Sequence, residues 1–361
     1  MIKKIKIQSD EAGERIDSYL SSKLPEFSRS YFSKLIKEEK VIVSKKTVKP
    51  SYKVNAGDSI EVNLVSKTIE EGIAPEKINL DIIYEDKNVI VINKQPGIVV
   101  HPAAGNTSGT LVNALLDYFP EIREAVYEKG DIVSEQRPGL VHRLDKDTSG
   151  VLIVAKNKRA MHSLSKQIQN RTVKKIYLAL CCGWPKNSEG RLINHLGRHP
   201  KNRKMMADIG KEKGREAISD YKVLRYLEDS IGNKISLIEF NIRTGRTHQI
   251  RVQAKLIGTP VIGDGVYGNK HCLILSKKLN AARQILHAKT LAITLPGNNK
   301  PSIFEAPLPE DFSLVLKSLK EELFKLNAQR YAGSLEKPHM FSAIKRSIAQ
   351  AETLLNKKDA K

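Results

Sequence analysis

Residues 141–150 read VHRLDKDTSG and lead without a break into the apolar run Val151-Leu152-Ile153-Val154-Ala155. The run predicts a buried strand, and the ten residues before it predict a glycine-bearing turn at the start of that strand. Charged side chains in such a turn can be presented to a cleft by a rigid scaffold. Because Asp145 stands among basic residues, a structural ion pair and a functional carboxylate are equally open interpretations from these residues alone.

Strands dominate the region around this motif, with helices interspersed. Such a mixture indicates the α+β class. The predicted strands, in addition to the run after the motif, are 89–92, 235–242 and 292–295, and the predicted helices are 158–170 and 310–327.

The chain is strongly basic, with 61 Lys and Arg against 40 Asp and Glu in 361 residues and a net charge of +21. Such a charge favours polyanionic partners, nucleic acid before an anionic membrane. Residues 1–65 and 326–361 each carry +4, and the remaining +13 lies between them. Within that middle region, 156–175 has seven basic residues and no acidic one, and 198–215 has seven against two. Both stretches predict contact with a phosphate backbone.

Three classes of protein are disfavoured by the sequence. No apolar run approaches the roughly 18–20 residues of a membrane-spanning helix. The first 13 residues, MIKKIKIQSDEAG, lack the apolar core of a secretory signal. Three cysteines are too few for a disulfide framework. We therefore expect a protein of the cytoplasm that does not bind to membranes.

The N-terminal 65 residues form a separate unit by pattern. Ile16, Tyr19 and Leu20 recur at helical spacing, and a second helix is expected from Ser28, followed by short strands. Residues 66–80 are polar, contain glycine and proline, and predict a linker. The pattern weakens again near the end of the chain, where 328–361 forms a basic C-terminal extension. It either contacts RNA or is a solvated helical end.

A second glycine-bearing turn, RTGRTHQIR at 243–251, also places cations beside a strand end. Together with residues 84–102, Lys175-Ile176-Tyr177 and GDGVYG at 263–268, the two turns resemble the RluA-type pseudouridine synthases, with the RluD-like branch as the nearest match. The resemblance extends over residues 12–325. It implies a pseudouridine synthase fold with a mixed, largely antiparallel sheet over 81–327, and a reaction that needs no cofactor.

The N-terminal unit resembles the alpha-L RNA-binding domain over residues 13–62. The matching residues include Arg15-Ile16-Asp17, Ser28-Arg29-Ser30 and the Gly57-Asp58 turn. This resemblance implies RNA contact from Arg29 and from neighbours on its helix, of which we select Lys34.

The resemblance also assigns the site. Asp145 is implied as the catalytic residue, with Tyr177 and Arg251 beside it. A carboxylate next to the ribose can stabilise or trap the oxocarbenium-like state formed when the glycosidic bond breaks. Arg251 would keep that carboxylate ionised, and Tyr177 would stack on the uracil. Arg143 resembles the family arginine that fills the space of the extruded nucleotide or holds its phosphate, and His142 and Arg246 are assigned to substrate binding.

The sequence therefore predicts an enzyme that isomerises uridine to pseudouridine in RNA, with large-subunit (23S) ribosomal RNA as the expected substrate. RNA is the expected partner; DNA, a membrane and a metal are not, and a monomer is expected. Transfer RNA is an alternative substrate, and a non-catalytic RNA-binding ribosome-assembly factor is an alternative function. Two motifs are set aside: the GxGxxG pattern of 263–268 lacks its acidic partner, and His195 with His199 lacks a metalloprotease pattern.

Overall fold

The computed structural model describes residues 2–8, 12–24, 27, 29–65, 73–102, 105–126, 137–202, 204–229 and 231–315. The chain divides into two compact units. The first comprises Met1–Asn79, His101–Leu140 and Ala155–Met161, and the second comprises Leu80–Val100, Val141–Val154 and His162–Lys361. In the described residues, no helix has both the length and the apolar character to cross a membrane.

The first unit begins with a four-stranded antiparallel sheet in the order β1–β4–β2–β3, together with two helices. Ile16, Tyr19 and Leu20 are fully buried on one face of α1. The 3.6-residue periodicity explains this face, since these positions are i, i+3 and i+4. Strand β1 was not predicted from the sequence. The elements are β1 (Ile2–Gln8), α1 (Ile16–Lys23), α2 (Arg29–Lys37), β2 (Val41–Val43), β3 (Lys46–Thr47) and β4 (Ser59–Val65).

The remainder of the first unit contains helices α3 (Leu111–Tyr118) and α4 (Ile122–Val126). Residues 73–80, the described part of the predicted linker, have no helix or strand. They are nonetheless fixed, because the Asn113 amide donates to the Ala74 carbonyl at 2.7 Å. Residues 101–140 group with the N-terminal residues, whereas the sequence predicts them within the catalytic domain 81–327.

The second unit is built on a ten-stranded sheet in the order β10–β9–β11–β12–β8–β13–β7–β6–β5, with β14 paired to β13. The recorded strand pairs are antiparallel except β13 with β7, which is parallel. The predicted mixed, largely antiparallel sheet is therefore confirmed. Its strands are β5 (Ile82–Glu85), β6 (Val89–Lys94), β7 (Ser149–Ala155), β8 (Lys174–Cys182), β9 (Glu189–Arg198), β10 (Met206–Asp208), β11 (Arg215–Glu228), β12 (Lys234–Ile242), β13 (Leu286–Ile293) and β14 (Ser302–Glu305).

Three helices lie between these strands in the chain: α5 (Lys158–Gln169) between β7 and β8, and α6 (Gln249–Leu256) and α7 (Lys270–Lys278) between β12 and β13. Apolar side chains from β8, β12 and α7 form one core cluster, which includes Leu180, Ile235 and Leu275. The predicted helix 158–170 is confirmed. Of the predicted helix 310–327, residues 310–315 are helical and the rest lies outside the described residues, as does the predicted 328–361 extension. The predicted strand 292–295 is wrong in its bounds, since β13 begins at Leu286.

Candidate active site

The loop that precedes β7, residues 141–148, is called the aspartate loop. It is tied to β7 by His142, whose Nε2 accepts a hydrogen bond from the Ile153 amide at 3.0 Å. Burial, with a contribution from the charge of Lys175, lowers the pKa of His142 to about 3. The ring is therefore neutral at pH 7, and this nitrogen serves as a structural acceptor.

A fully buried cation holds the far end of the same loop. The Lys94 ammonium donates to the carbonyl oxygens of Gln95, Ile98 and Lys146 at 2.7–2.9 Å. Burial lowers the pKa of Lys94 to about 7, with smaller effects from nearby charges. Because three carbonyl dipoles converge on one ammonium, the residue after Asp145 is fixed to β6.

Strand β13 passes so close to the start of β7 that only glycine fits there. Gly150 has φ +114°, and a Cβ on it would overlap the Ala288 carbonyl. Such a conformation is open to glycine and strained for other residues. The aspartate loop thus meets the sheet without a side chain in between.

Asp145 is held by an arginine that a second carboxylate orients. Arg251 Nη1 lies 3.2 Å from Asp145 Oδ2, while Nε and Nη2 bind Asp264 at 2.7 and 3.0 Å. Burial alone would lower the pKa of Arg251, but Asp264 and then Asp145 raise it above its usual value. The guanidinium therefore stays charged and presents one N–H toward Asp145.

Asp264 belongs to the turn 263–268, which sequence reasoning had set aside as a failed dinucleotide motif. Its Oδ1 also accepts the amides of Val266 and Tyr267 at 2.9 and 3.1 Å, and its side chain is fully buried. Gly263, at φ +80°, lies where a Cβ would overlap the Arg283 carbonyl. The turn is therefore a rigid holder for one carboxylate.

His248 is the other side chain near Asp145. Its Nε2 is 3.9 Å from Asp145 Oδ2, and its Nδ1 is 2.8 Å from the Tyr267 hydroxyl. That hydroxyl accepts the Met206 amide at 2.8 Å, which leaves its own hydrogen available for Nδ1. Burial lowers the pKa of His248. The neutral ring therefore packs beside the Asp145–Arg251 pair without adding a charge.

Strand β8 contributes two side chains to the site. Lys175 and Tyr177 are two residues apart and so lie on the same face of the strand. Burial, then the charge of Asp145, raises the pKa of Tyr177 well above its usual range. Burial, then the charge of Arg246, lowers the pKa of Lys175 to about 8. The tyrosine is thus a protonated phenol at neutral pH, and the lysine is a desolvated cation.

Residues 243–249, called the arginine loop, are shaped by one glutamine. Gln249 Oε1 accepts from the Thr244 hydroxyl and the Arg246 amide at 2.8 and 3.0 Å, and Nε2 donates to the Ile218 carbonyl at 3.0 Å. The Arg246 side chain donates from Nε to the Glu216 carbonyl at 2.9 Å. The THQ sequence therefore fixes the loop backbone against β11.

These elements enclose one pocket of about 380 Å³, a volume within the range of small-molecule sites. Its lining includes six residues predicted from the sequence: His142, Arg143, Asp145, Tyr177, Arg246 and Arg251. Arg29 and Lys34 lie elsewhere, on the exposed face of α2 in the first unit. Arg29 is 3.4 Å from Asp17 and Lys34 is 3.5 Å from Glu38.

Three residues that shape this site were missed as site residues by sequence reasoning: Asp264, Lys94 and Lys175. Asp264 was read only as part of a turn, and Lys175 was given no role beyond its place in the basic stretch 156–175 and in the Lys175-Ile176-Tyr177 motif. Within the described ranges, no group of three or more His, Cys, Asp and Glu side chains is arranged to hold a metal ion.

Comparisons with known proteins agree with this geometry. The family model for RNA pseudouridylate synthase matches residues 88–256, and the S4 domain model matches 14–60, where the alpha-L resemblance lies. The model for ribosomal L29 protein matches residues 309–358.

Curated relatives match over most of the chain. An uncharacterized RNA pseudouridine synthase of Chlorobaculum parvum is 41% identical, covering 85% of this chain and 94% of the relative. The ribosomal large subunit pseudouridine synthase D of Neisseria meningitidis is 44% identical, with coverages of 86% and 80%. An RNA pseudouridine synthase of Aquifex aeolicus, also uncharacterized, is 40% identical, with coverages of 88% and 96%. The chain belongs to the RNA pseudouridine synthase family and is an RNA-binding enzyme of that family with an N-terminal S4 domain.

Proposed function

We propose that this enzyme converts uridines of large-subunit (23S) ribosomal RNA to pseudouridine, with Asp145 as the carboxylate that acts at the ribose. The observation that carries the chemistry is the pairing of Asp145 with Arg251 inside a pocket of nucleotide scale. The guanidinium holds the Asp145 carboxyl group in a fixed position and faces it with a positive charge. An ionised carboxylate is what a developing oxocarbenium ion needs.

The reaction is an isomerisation. The bond from ribose C1′ to uracil N1 breaks, and its electron pair leaves with the uracil. Asp145 either bonds to C1′ or removes a proton from C2′ to give a glycal, and both routes stay open. The uracil then turns so that C5 bonds to C1′. In the first route the bond from Asp145 to C1′ breaks in this step, and in the second Asp145 returns the proton to C2′. The C5 proton is then lost, and N1 is protonated. No atom is gained or lost and no redox change occurs, so we propose an enzyme without a cofactor.

Tyr177 is proposed to stack on the extruded uracil. A base taken out of an RNA stack needs such a surface, because unstacking costs a few kcal/mol. The raised pKa of Tyr177 disfavours a phenolate that would remove the C5 proton, so we assign it the stacking role. Arg143 and Arg246, with guanidinium groups at the pocket, are proposed to hold phosphates of the flipped nucleotide and its neighbours, and His142 to shape the loop that binds it.

The wider organisation is also a proposal. Residues 1–65 would bind RNA through Arg29 and Lys34, residues 66–80 would connect, 81–327 would carry the catalytic site and 328–361 would be a basic extension. Exposed cations on α2 support the first assignment, since the side chains of Arg29 and Lys34 are 55% and 53% exposed. Replacing Arg29 with Gln should weaken RNA binding and lower the salt slope of log K by about one.

The ribosomal substrate rests on two similarities. Relatives from Neisseria are named ribosomal large subunit pseudouridine synthase D, and residues 309–358 match a ribosomal protein model. We therefore propose a monomeric enzyme of the cytoplasm that meets ribosomal RNA or its assembling particle. Transfer RNA is the alternative substrate. A non-catalytic assembly factor is disfavoured by the intact Asp145–Arg251–Asp264 arrangement.

The test is a map of pseudouridines in ribosomal and transfer RNA. It compares cells with the wild-type gene, cells without it, and deletion cells complemented with Asp145→Asn. We expect sites in 23S RNA to disappear in the deletion and to stay absent with the variant. Loss of pseudouridines from transfer RNA alone would contradict the proposed ribosomal substrate. Restoration of the pseudouridines by Asp145→Asn would contradict the proposed role of the carboxylate.

Asp147→Asn is the matched control, because it removes a carboxylate from the same loop two residues away. Its backbone carbonyl, which accepts from Arg283 at 2.7 Å, is unchanged by the substitution. This variant should restore the pseudouridines that Asp145→Asn does not.

A further inference from the structure

Lys175 is a buried cation for which the described residues supply no counter-charge. It is 7% exposed and lines the pocket. Within the described part of the chain, its ammonium has no hydrogen-bond or ion-pair partner. Its neighbours include Gly245 and the side chains of Arg246 and His142. A Cβ added to Gly245 would lie 4.0 Å from Lys175 Nζ. None of these neighbours is an acid.

Such a placement is unfavourable in the empty protein. Burying an ammonium without a partner costs several kcal/mol unless the group loses its proton. The lowered pKa of Lys175, about 8, reports this cost. A desolvated cation that points into an open pocket is therefore placed for an anionic ligand or for charge that appears during a reaction.

The position of Lys175 distinguishes between the two anions that RNA can bring. The phosphate groups of a bound RNA would meet an exposed cation at the pocket, Arg143. Lys175 is instead buried on the face of β8 that carries Tyr177, the residue proposed to stack on the base. A uracil ring stacked on Tyr177 would therefore reach Lys175, whereas its phosphate would stay at the exposed cation.

We propose that Lys175 contacts the uracil and neutralises the negative charge that the ring acquires when its bond to ribose breaks. This role rests on the proposed function. As the C1′–N1 bond breaks, its electron pair is delocalised over N1 and the ring carbonyl oxygens, and the ammonium donates a hydrogen bond to this anion. Asp145 meets the opposite charge on the ribose. When C5 bonds to C1′ the ring charge is used in the new bond, and Lys175 returns to its starting state with its proton.

The test compares two RNAs that differ at one position. One carries uridine there, and the other carries 5-fluorouridine, whose base is a better leaving group. Fluorine at C5 stabilises the uracil anion, so 5-fluorouridine depends less on an external cation. Single-turnover rates of C1′–N1 bond cleavage, followed as loss of the starting nucleoside from the RNA, are measured with saturating full-length enzyme for wild type, Lys175→Met, Lys175→Gln and Lys175→Arg. Cleavage is compared because 5-fluorouridine has no C5 hydrogen to lose and so cannot complete the rearrangement to pseudouridine. Lys222→Met is the matched control, because Lys222 is an exposed lysine of β11 outside the pocket lining and outside both basic stretches.

We expect Lys175→Met to slow C1′–N1 bond cleavage in uridine on the order of 10²-fold, the scale of losing one charge-stabilising donor. The loss on 5-fluorouridine should be clearly smaller. Lys175→Arg should recover part of the rate, Lys175→Gln should resemble Lys175→Met, and Lys222→Met should match wild type. The RNA dissociation constant should change little, because the charge develops only in the reaction.

Equal losses on the two RNAs, or a loss in RNA affinity with an unchanged single-turnover rate, would overturn the inference and leave Lys175 as a phosphate-binding or structural residue. Wild-type rearrangement of uridine is measured in the same assay. The proposed function fails if wild type forms no pseudouridine, whereas the Lys175 inference fails in an enzyme that remains active. Circular dichroism of each variant confirms that it is folded.

Discussion

The two sides of the pocket differ in whether the folded protein pairs their buried cation with a carboxylate. On one side, Arg251 is enclosed by Asp264 and Asp145, so each charge has a partner in the folded protein. On the other side, Lys175 is equally buried but faces Arg246 and a neutral histidine. The paired side holds a carboxylate in a fixed position before RNA arrives. The unpaired side is completed only by the substrate, so stability and activity should respond in opposite directions there.

The largest effect is expected from removing the cation of the paired side. Arg251→Met leaves two carboxylates facing one another without a counter-charge, and breaking a buried ion pair in this way costs about 3–5 kcal/mol of unfolding free energy. Urea denaturation followed by circular dichroism measures the loss. An unfolding free energy equal to that of wild type would show that the pair does not stabilise the fold.

Asp264→Asn tests the same side more finely. The backbone amides of Val266 and Tyr267 require an oxygen at the Oδ1 position, so the new NH₂ group must occupy the Oδ2 position and face Arg251 Nε. Two donors then meet, which costs about 3 kcal/mol. The single-turnover rate should fall as well, because Arg251 is no longer oriented toward Asp145. An unchanged rate would mean that Asp145 alone positions the guanidinium.

Lys175→Met should raise the unfolding free energy, in contrast to the two substitutions on the paired side. It removes a desolvated, unpaired ammonium and fills the same volume with an apolar chain. We expect the free enzyme to gain about 2 kcal/mol in unfolding free energy while its activity falls. Denaturation of the RNA-free protein measures the gain, with Lys222→Met as the comparison. A loss of stability would identify Lys175 as a structural residue.

The smallest expected effect is the pH dependence of that gain. The pKa of Lys175 is lower in the folded protein, about 8, than the value near 10.4 of an unfolded lysine. The wild-type penalty is therefore complete below about pH 8 and disappears as the pH rises toward 10.4. The difference between Lys175→Met and wild type should shrink between pH 7 and pH 10, and a constant difference would contradict a titrating Lys175.

The sequence was most informative where chemistry and backbone geometry coincide. The turn before β7 was predicted from its glycine and the apolar run after it, and the resemblance implied Arg251 as the partner of Asp145. Asp264 was missed because its role depends on a contact with a helix residue 13 positions earlier, which no local pattern encodes. Lys175 was missed for a related reason, since a buried lysine and a solvated lysine look alike in a sequence.

Strand β13 shows a second limit of prediction from the sequence. His287 and Lys289 interrupt its apolar pattern, and the predicted strand therefore began too late. In the structure His287 is fully buried, with Nδ1 3.0 Å from the Ser149 hydroxyl. The polar residue is satisfied by a neighbouring strand, so it belongs to the sheet despite breaking the pattern.

The basic stretch 198–215 has a structural role that the sequence interpretation did not consider. It links β9 to β11 and contains β10, which is the edge strand of the ten-stranded sheet. Asp208 is the one charged residue of β10, and a charged side chain at an edge opposes pairing with strands of other chains. The basic residues of the stretch lie in the segments that flank β10, and they fit the proposed contact with phosphates.

The bond from Arg251 to Asp145 joins residues 106 positions apart, and Asp264 lies 13 residues further along the chain. Non-local contacts of this kind form late in folding, because the intervening chain must be ordered first. During synthesis, a ribosome that has released fewer than 264 residues carries a chain without the second carboxylate of the paired side. A nascent chain that ends before Asp264 therefore cannot yet hold the Arg251 guanidinium from both sides.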